Sequence, residues 1–149
     1  METRLLVLNA GSSSIKFAVF RDDLSEVVSG LAEGIGGAAR LRITGAEAQA
    51  AFTDHAGALA AILAALEARG LPMSALTAAA HRVVHGGRDL TAPVRVTPEV
   101  RAQIDACSPL APLHNPHNLA AIDHLARLAP EIGRPRASSA AMIAASAPA

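Results

Sequence analysis

The sequence predicts an α/β domain built on a mixed sheet, and three features carry that prediction. Its opening third is a succession of short runs rich in Leu, Val, Ile and Phe, bounded by Gly and Ser, which is how buried strands read. From residue 54 the pattern lengthens into helical stretches that carry their own start and stop signals. A further strand-like run falls between those stretches. Strands first, then strands alternating with helices, build a mixed sheet.

The elements follow in order. "RLLVLNA" and "SIKFAVF" are two buried strands, and "SEVVSGLAEGI", "ARLRIT" and "QAAFTD" continue the series with weaker alternation. "TDHAGALAAILAALEARGLP" then offers Asp54 as N-cap, about four turns of good helix formers, Gly70 just past the end and Pro72 as a stop. "LTAAAHRVVHGG" returns to a short strand closed by glycines. "VTPEVRAQIDACS" opens a second helix, with Thr97 as cap and Pro98 at the first helical position. "HNPHNLAAIDHLARLAP" opens a third, with Asn115 as cap, Pro116 following and Pro130 ending it. These elements place a domain over residues 1–132. The Ala/Ser/Pro-rich tail at 133–149 has no large side chain beyond Met142 and Ile143, and it is expected to be disordered.

Composition bounds the function classes. A chain of 149 residues can bury its own core without disulfides or a metal. Apolar residues make up 51% of it, yet much of that is alanine, with three Phe and no Trp or Tyr, so a modest driving force and marginal stability are expected. Thirteen basic and thirteen acidic residues cancel, which removes the electrostatic footprint of a nucleic-acid or membrane-surface binder and points to small-molecule partners. Cys107 is alone, so neither an intramolecular disulfide nor a cysteine-rich zinc site is expected. The apolar run near the start covers only Leu5 to Leu8, and no stretch approaches the ~18 apolar residues of a membrane span. A cytoplasmic protein in a reducing compartment is the expectation.

The chemistry concentrates in "LLVLNAGSSSIKFAVF", Leu5 to Phe20, where glycine, three serines and a lysine separate two apolar runs. A P-loop requires G-x-x-x-x-G-K-[ST] between a strand and a helix. Here Ile15 precedes Lys16, Phe17 follows it, and the flank is another strand, so that reading fails. "GIGGAA", Gly34 to Ala39, formally matches G-x-G-x-x-[GA], but strand-like "RLRIT" stands where a helix would have to open. What fits is a β-hairpin whose tip presents Asn9, Gly11, Ser12, Ser13 and Ser14, with Lys16 leading back into the sheet. Turn N–H groups and hydroxyls can donate to phosphate oxygens, and the ammonium adds a point charge. A plain polar turn that uses Gly and Ser for backbone freedom has the same composition.

"VLNAGSSSIKF" closely resembles the first signature of the acetate kinase family. "HRVVHGG", containing Arg82, matches a second, and "SPLAPLHNPHNLAAI", Ser108 to Ile122, a third. The three stand in the family's order and cover most of residues 4 to 125. The resemblance implies a fold: the ribonuclease-H-like N-terminal domain of the superfamily that includes sugar kinases, heat-shock chaperones and actin. It also implies an activity, phosphoryl transfer between ATP and a short carboxylate such as acetate or propionate, giving an acyl phosphate and ADP.

By the same resemblance Asn9 lies near Mg2+ and the terminal phosphate, while Gly11, Ser12, Ser14 and Lys16 contact the phosphates of ATP. Arg82 would anchor the carboxylate or phosphate, because a guanidinium grips two oxygens at once; an ordinary ion pair is its alternative. Val84 and Leu113 fall where the family lines a small apolar pocket, though core packing would serve either residue equally. His114, just before a helix, could donate a hydrogen bond to the transferring group or be satisfied by backbone. His81 and His85 are four apart, but on a strand that spacing does not make a metal pair.

The resemblance assigns no catalytic residue to this chain. The family runs on into a stretch that supplies a catalytic aspartate and then a second domain, and it forms homodimers. "RPRASSAAMIAASAPA" stands where that stretch would begin. A truncated piece, inactive alone, is therefore expected; a stand-alone phosphate- or nucleotide-binding module and a non-functional remnant are the alternatives.

Overall fold

The computed structural model describes residues 3–83, 94–130 and 132, together with the backbone of Ala141–Ala145. Val84 and His85 therefore lie outside the described residues. The strands are β1 (Arg4–Ala10), β2 (Ile15–Arg21), β3 (Glu26–Glu33), β4 (Arg40–Ile43), β5 (Ala46–Gln49), β6 (Ala78–Val83), β7 (Val94–Arg95) and β8 (Ala141–Ala145). The helices are α1 (His55–Ala68), α2 (Pro98–Ala106) and α3 (Asn115–Leu128). Among the described residues the strands form one sheet in the order β5-β4-β3-β2-β1-β6-β8-β7. β1 to β5 run as an antiparallel meander, and β6 then joins β1 in parallel. The sheet is mixed, as the pattern of elements predicts.

Alternation along the strands sets one face of the sheet against the helices. Leu6, Leu8 and Ala10 of β1, Ile15, Phe17 and Val19 of β2, and Ala79, His81 and Val83 of β6 are all buried. α1 presents Leu59, Ile62, Leu63 and Leu66 to that face, spaced three and four apart as one helical stripe requires. α1 packs on β2, β3 and β4, and α3 on β1, β6 and α1. A second cluster of Val83, Ile104, Leu119 and Ile122 joins α2 and α3 to β6. Among the described residues no helix covers the opposite face. It holds a broad open hollow of about 1080 Å³ bordered by Val7, Ala18, Leu31, Arg42 and Ile43.

Local signals explain the helix ends. Gly57 N–H donates to Asp54 Oδ1 at 2.7 Å, the N-cap bond expected at α1. At its other end Gly70 takes φ 80°, and Leu71 N–H folds back onto the Leu66 carbonyl at 2.9 Å. Val100 N–H donates to Thr97 Oγ1 at 3.2 Å to open α2.

Three expectations are corrected. The cap of α3 is His114, without a side-chain cap bond, while Asn115 is fully buried and its Nδ2 reaches the Ile104 carbonyl at 3.5 Å. Packing between α2 and α3 recruits the amide that the sequence offers as a cap. The strand expected in "QAAFTD" is β5, a few residues earlier; Phe52 lies past its end and turns into the core. Within the tail expected to be disordered, Ala141–Ala145 forms β8, parallel to β6 and antiparallel to β7. Strand pairing engages backbone groups, so small side chains do not prevent β8 from occupying the edge that β6 would otherwise leave open.

Candidate phosphate-binding site

β1 and β2 pair from Arg4↔Arg21 to Ala10↔Ile15, so Gly11–Ser14 is a turn between strands and no helix begins after Ser14. Three of the turn's four carbonyls, those of Gly11, Ser13 and Ser14, are engaged. Gly11 N–H donates to the Ser14 carbonyl at 2.8 Å, and Ile35 N–H to the Ser13 carbonyl at 3.0 Å. Asn118 Nδ2 donates to the Ala10 carbonyl at 2.7 Å. His55 Nε2 lies 2.6 Å from the Gly11 carbonyl; a carbonyl only accepts, so this ring nitrogen carries the hydrogen. By contrast, among the described residues the N–H groups of Ser12, Ser13 and Ser14 donate to no protein acceptor. Ser12 and Ser13 are exposed and Ser14 half-buried. A concavity most of whose carbonyls are engaged and whose N–H groups are open favours an anion.

The register of the sheet lines up the charged groups beside that turn. Asn9 pairs with Lys16, and Leu8 pairs with His81, which brings Arg82 alongside Asn9. Asn9 thus stands between two cations. At a strand spacing of about 4.8 Å, the Lys16 and Arg82 backbones are roughly 10 Å apart. Side chains alternate across a strand, so the three residues share the helix-free face while Leu8 and His81 point into the core. A cleft of about 370 Å³ is lined by Asn9, Gly11, Ser14, Lys16, Arg82 and His114, with Ala10 and Leu31 as its apolar part. None of these residues is acidic, so the cleft is suited to a small anion.

Two residues singled out by the sequence stand apart from this cleft. Ser12 is at the exposed apex of the turn, and Leu113 is 72% exposed next to His114. Among the described residues no group of three or more His, Cys, Asp or Glu side chains could hold a metal.

Three of the described histidines fall into two environments. His81 is 2% exposed, neither ring nitrogen has a hydrogen-bond partner, and burial pushes its pKa down to about 4. His55 and His117 stack with ring centroids 5.0 Å apart behind the turn. The pKa of His117 is lowered, first by burial and then by the neighbouring His55 and His114. Sequence reasoning passed over His55 and Asn118, whose partners lie 44 and 108 residues away. Asn118 did leave a signal: it shares the stripe of Asn115, Leu119, Ile122 and Leu125, and an amide on an apolar stripe calls for a buried hydrogen bond.

Comparison with known proteins supplies the family. The model of the acetokinase family matches residues 4–137. The acetate kinase of Deinococcus radiodurans is 44% identical over 133 residues, 85% of this chain and 33% of that protein. A propionate kinase of an Enterobacter species is 41% identical over 131 residues, 86% of this chain and 32% of that protein. Among solved structures, the Porphyromonas gingivalis acetate kinase superposes with a TM-score of 0.85 at 30% identity, over 96% of this chain and 37% of that one. The Francisella tularensis propionate kinase gives 0.86 at 27%, over 96% and 36%. The chain therefore spans about a third of the length of the relatives it matches, and its mixed sheet is the ribonuclease-H-like fold of the actin-like superfamily. The match over residues 4–137, with the superposition on solved kinases, makes this chain a member of the acetokinase family.

Proposed function

We propose that this chain forms one wall of a site for phosphoryl transfer between ATP and a short carboxylate, acetate in the first place. The observation that carries the reading is the Gly11–Ser14 turn, with the carbonyls of Gly11, Ser13 and Ser14 engaged and the N–H groups of Ser12, Ser13 and Ser14 open beside Lys16 and Arg82. In the forward reaction a carboxylate oxygen attacks the γ-phosphorus, the bond from that phosphorus to the β,γ-bridging oxygen breaks, and ADP leaves with the electron pair. Such transfer depends on positioning and on neutralising the charge of the moving group. The N–H groups and hydroxyls of Ser12 and Ser14 hold phosphate oxygens, Gly11 shapes the turn beside them with its own N–H engaged by the Ser14 carbonyl, and Lys16 adds its charge. Arg82 orients the carboxylate bidentately. His114 donates a hydrogen bond to the transferring group, and Val84 and Leu113 border the methyl group.

Magnesium is a hard ion that takes oxygen ligands and retains several waters. The cleft offers it the Asn9 amide and no carboxylate, a donor set too poor to hold it unaided. On this reading the working enzyme acts in the cytoplasm on small molecules, as a homodimer, with neither nucleic acid nor membrane as partner. No helix of the described residues is long and apolar enough to cross a membrane.

The test is a hydroxamate assay for acyl phosphate with acetate and Mg–ATP. It is run on the 149-residue chain and on the same chain joined to the remaining two-thirds of a relative. The joined protein is expected to form hydroxamate and to lose about 10²–10³-fold in rate with Lys16→Ala. The chain alone is expected to form none, since groups that act as a set are far from additive. A folded joined protein without activity would refute the reading.

A further inference from the structure

The turn lacks a hydrogen bond that its own geometry invites. β1 and β2 end at Ala10↔Ile15, which makes Gly11 and Ser14 the last facing pair, with Ser12 and Ser13 as a two-residue loop. A hydrogen-bonded antiparallel pair exchanges both of its N–H···O bonds. Here Gly11 N–H donates to the Ser14 carbonyl at 2.8 Å, and the reciprocal bond from Ser14 N–H to the Gly11 carbonyl is missing. The Gly11 carbonyl is occupied instead by His55 Nε2 at 2.6 Å.

We propose that His55 is a positioning residue: by taking the Gly11 carbonyl, it prevents the turn from closing on itself and keeps the Ser14 N–H open for a phosphate oxygen. The surroundings are built to hold it there. His55 is the first residue of α1, fixed by the Asp54 cap, and its ring stacks at 17° on His117 of α3. Asn118, next to His117, draws back the preceding carbonyl, that of Ala10, at 2.7 Å. Two packed helices thus each engage one of two successive carbonyls at the cleft, so that oxygens that would repel an anion are taken up as acceptors. Because the inference rests on the phosphate reading of the turn, its test must separate the two.

NMR on the 149-residue chain does so, with inorganic phosphate as the probe. His55→Phe retains a ring for the stack and removes the donor. In that variant Ser14 N–H is free to close onto the Gly11 carbonyl, so its solvent exchange slows by about tenfold, the factor one hydrogen bond supplies. The phosphate dissociation constant rises by a similar factor. His55→Gln, which restores an N–H donor, returns phosphate affinity to within about threefold of the parent. A brace that merely stabilised the turn would make Ser14 exchange faster when lost, the opposite sign. If His55→Phe does not fold, His55→Ala is read against the same expectations. Ser14 exchange and phosphate affinity that both match the parent overturn the role of His55 and leave the site intact. No saturable phosphate response in the parent chain overturns the phosphate reading itself, and this role with it.

Discussion

Acidification is expected to unfold the domain through His81. Its imidazole is 2% exposed, has no hydrogen-bond partner, and burial pushes its pKa down to about 4 from the ordinary 6.5. The folded state therefore binds fewer protons than the unfolded chain wherever the pH lies between those values, so stability rises with pH through that window. The contribution is fully present above about pH 6.5 and is lost progressively towards pH 4. By linkage the loss is negligible at pH 7 and about 2–3 kcal/mol at pH 4.5. With an m-value of roughly 2 kcal/mol/M, the urea midpoint falls by about 1 M between those two pH values. His81→Leu fills the same apolar site with a group that does not titrate. Urea unfolding followed by circular dichroism at half-unit pH steps should show the variant nearly flat over the window in which the parent falls. His117 has the same sign of shift but is present in both proteins, so the difference between the two curves isolates His81. Parallel curves from pH 7 to 4.5 would refute the reasoning, because they would mean that His81 takes its proton while folded.

Two further outcomes follow from packing and charge. Phe17 of β2 lies across from Gly30 of β3 and covers it: a Cβ at Gly30 would stand 2.4 Å from the Phe17 ring and 2.2 Å from the Arg42 carbonyl. Gly30→Ala is therefore expected to cost about 1–3 kcal/mol, since the Arg42 backbone cannot yield without loosening β3 from β4; thermal melts read the loss directly. The Arg101–Asp123 pair is two-pronged, at 2.8 and 2.7 Å, and the bond from Arg101 holds the Asp123 carboxyl below its ordinary pKa. Both side chains are more than a third exposed, so Asp123→Asn is expected to cost less than ~1 kcal/mol. Any cost should vanish in high salt, which denaturant titrations at two ionic strengths can check.

The parts of the fold legible in the sequence are those with local causes. Two apolar runs separated by Gly and Ser gave the β1–β2 hairpin, and Asp54 and Gly70 bracketed α1 because capping acts within one turn. Non-local effects were less visible. Asn115 has the composition of a cap, yet contact with α2 sets its use, and β8 arises from the edge that β6 leaves rather than from strand-forming side chains. The motifs singled out Asn9, Gly11, Ser14, Lys16, Arg82 and His114, and these residues line one cleft. Their shared face, however, depends on β6 joining β1 in parallel, a register no local pattern encodes. The hydrogen bonds of His55 and Asn118 to the turn span 44 and 108 residues and were hidden for the same reason.

The central claim is that the Gly11–Ser14 turn, and no other loop, receives phosphate. Residue-by-residue mapping of amide shifts during titration of the 149-residue chain with inorganic phosphate tests it most directly, with the loop at Arg69–Leu71, at the far end of α1 from the turn, as internal control. Saturable shifts are predicted at Gly11, Ser12, Ser13 and Ser14, with smaller ones at Asn9, Lys16 and Arg82, and none at the control loop. Shifts confined to the control loop, or shifts that never saturate, would contradict the account.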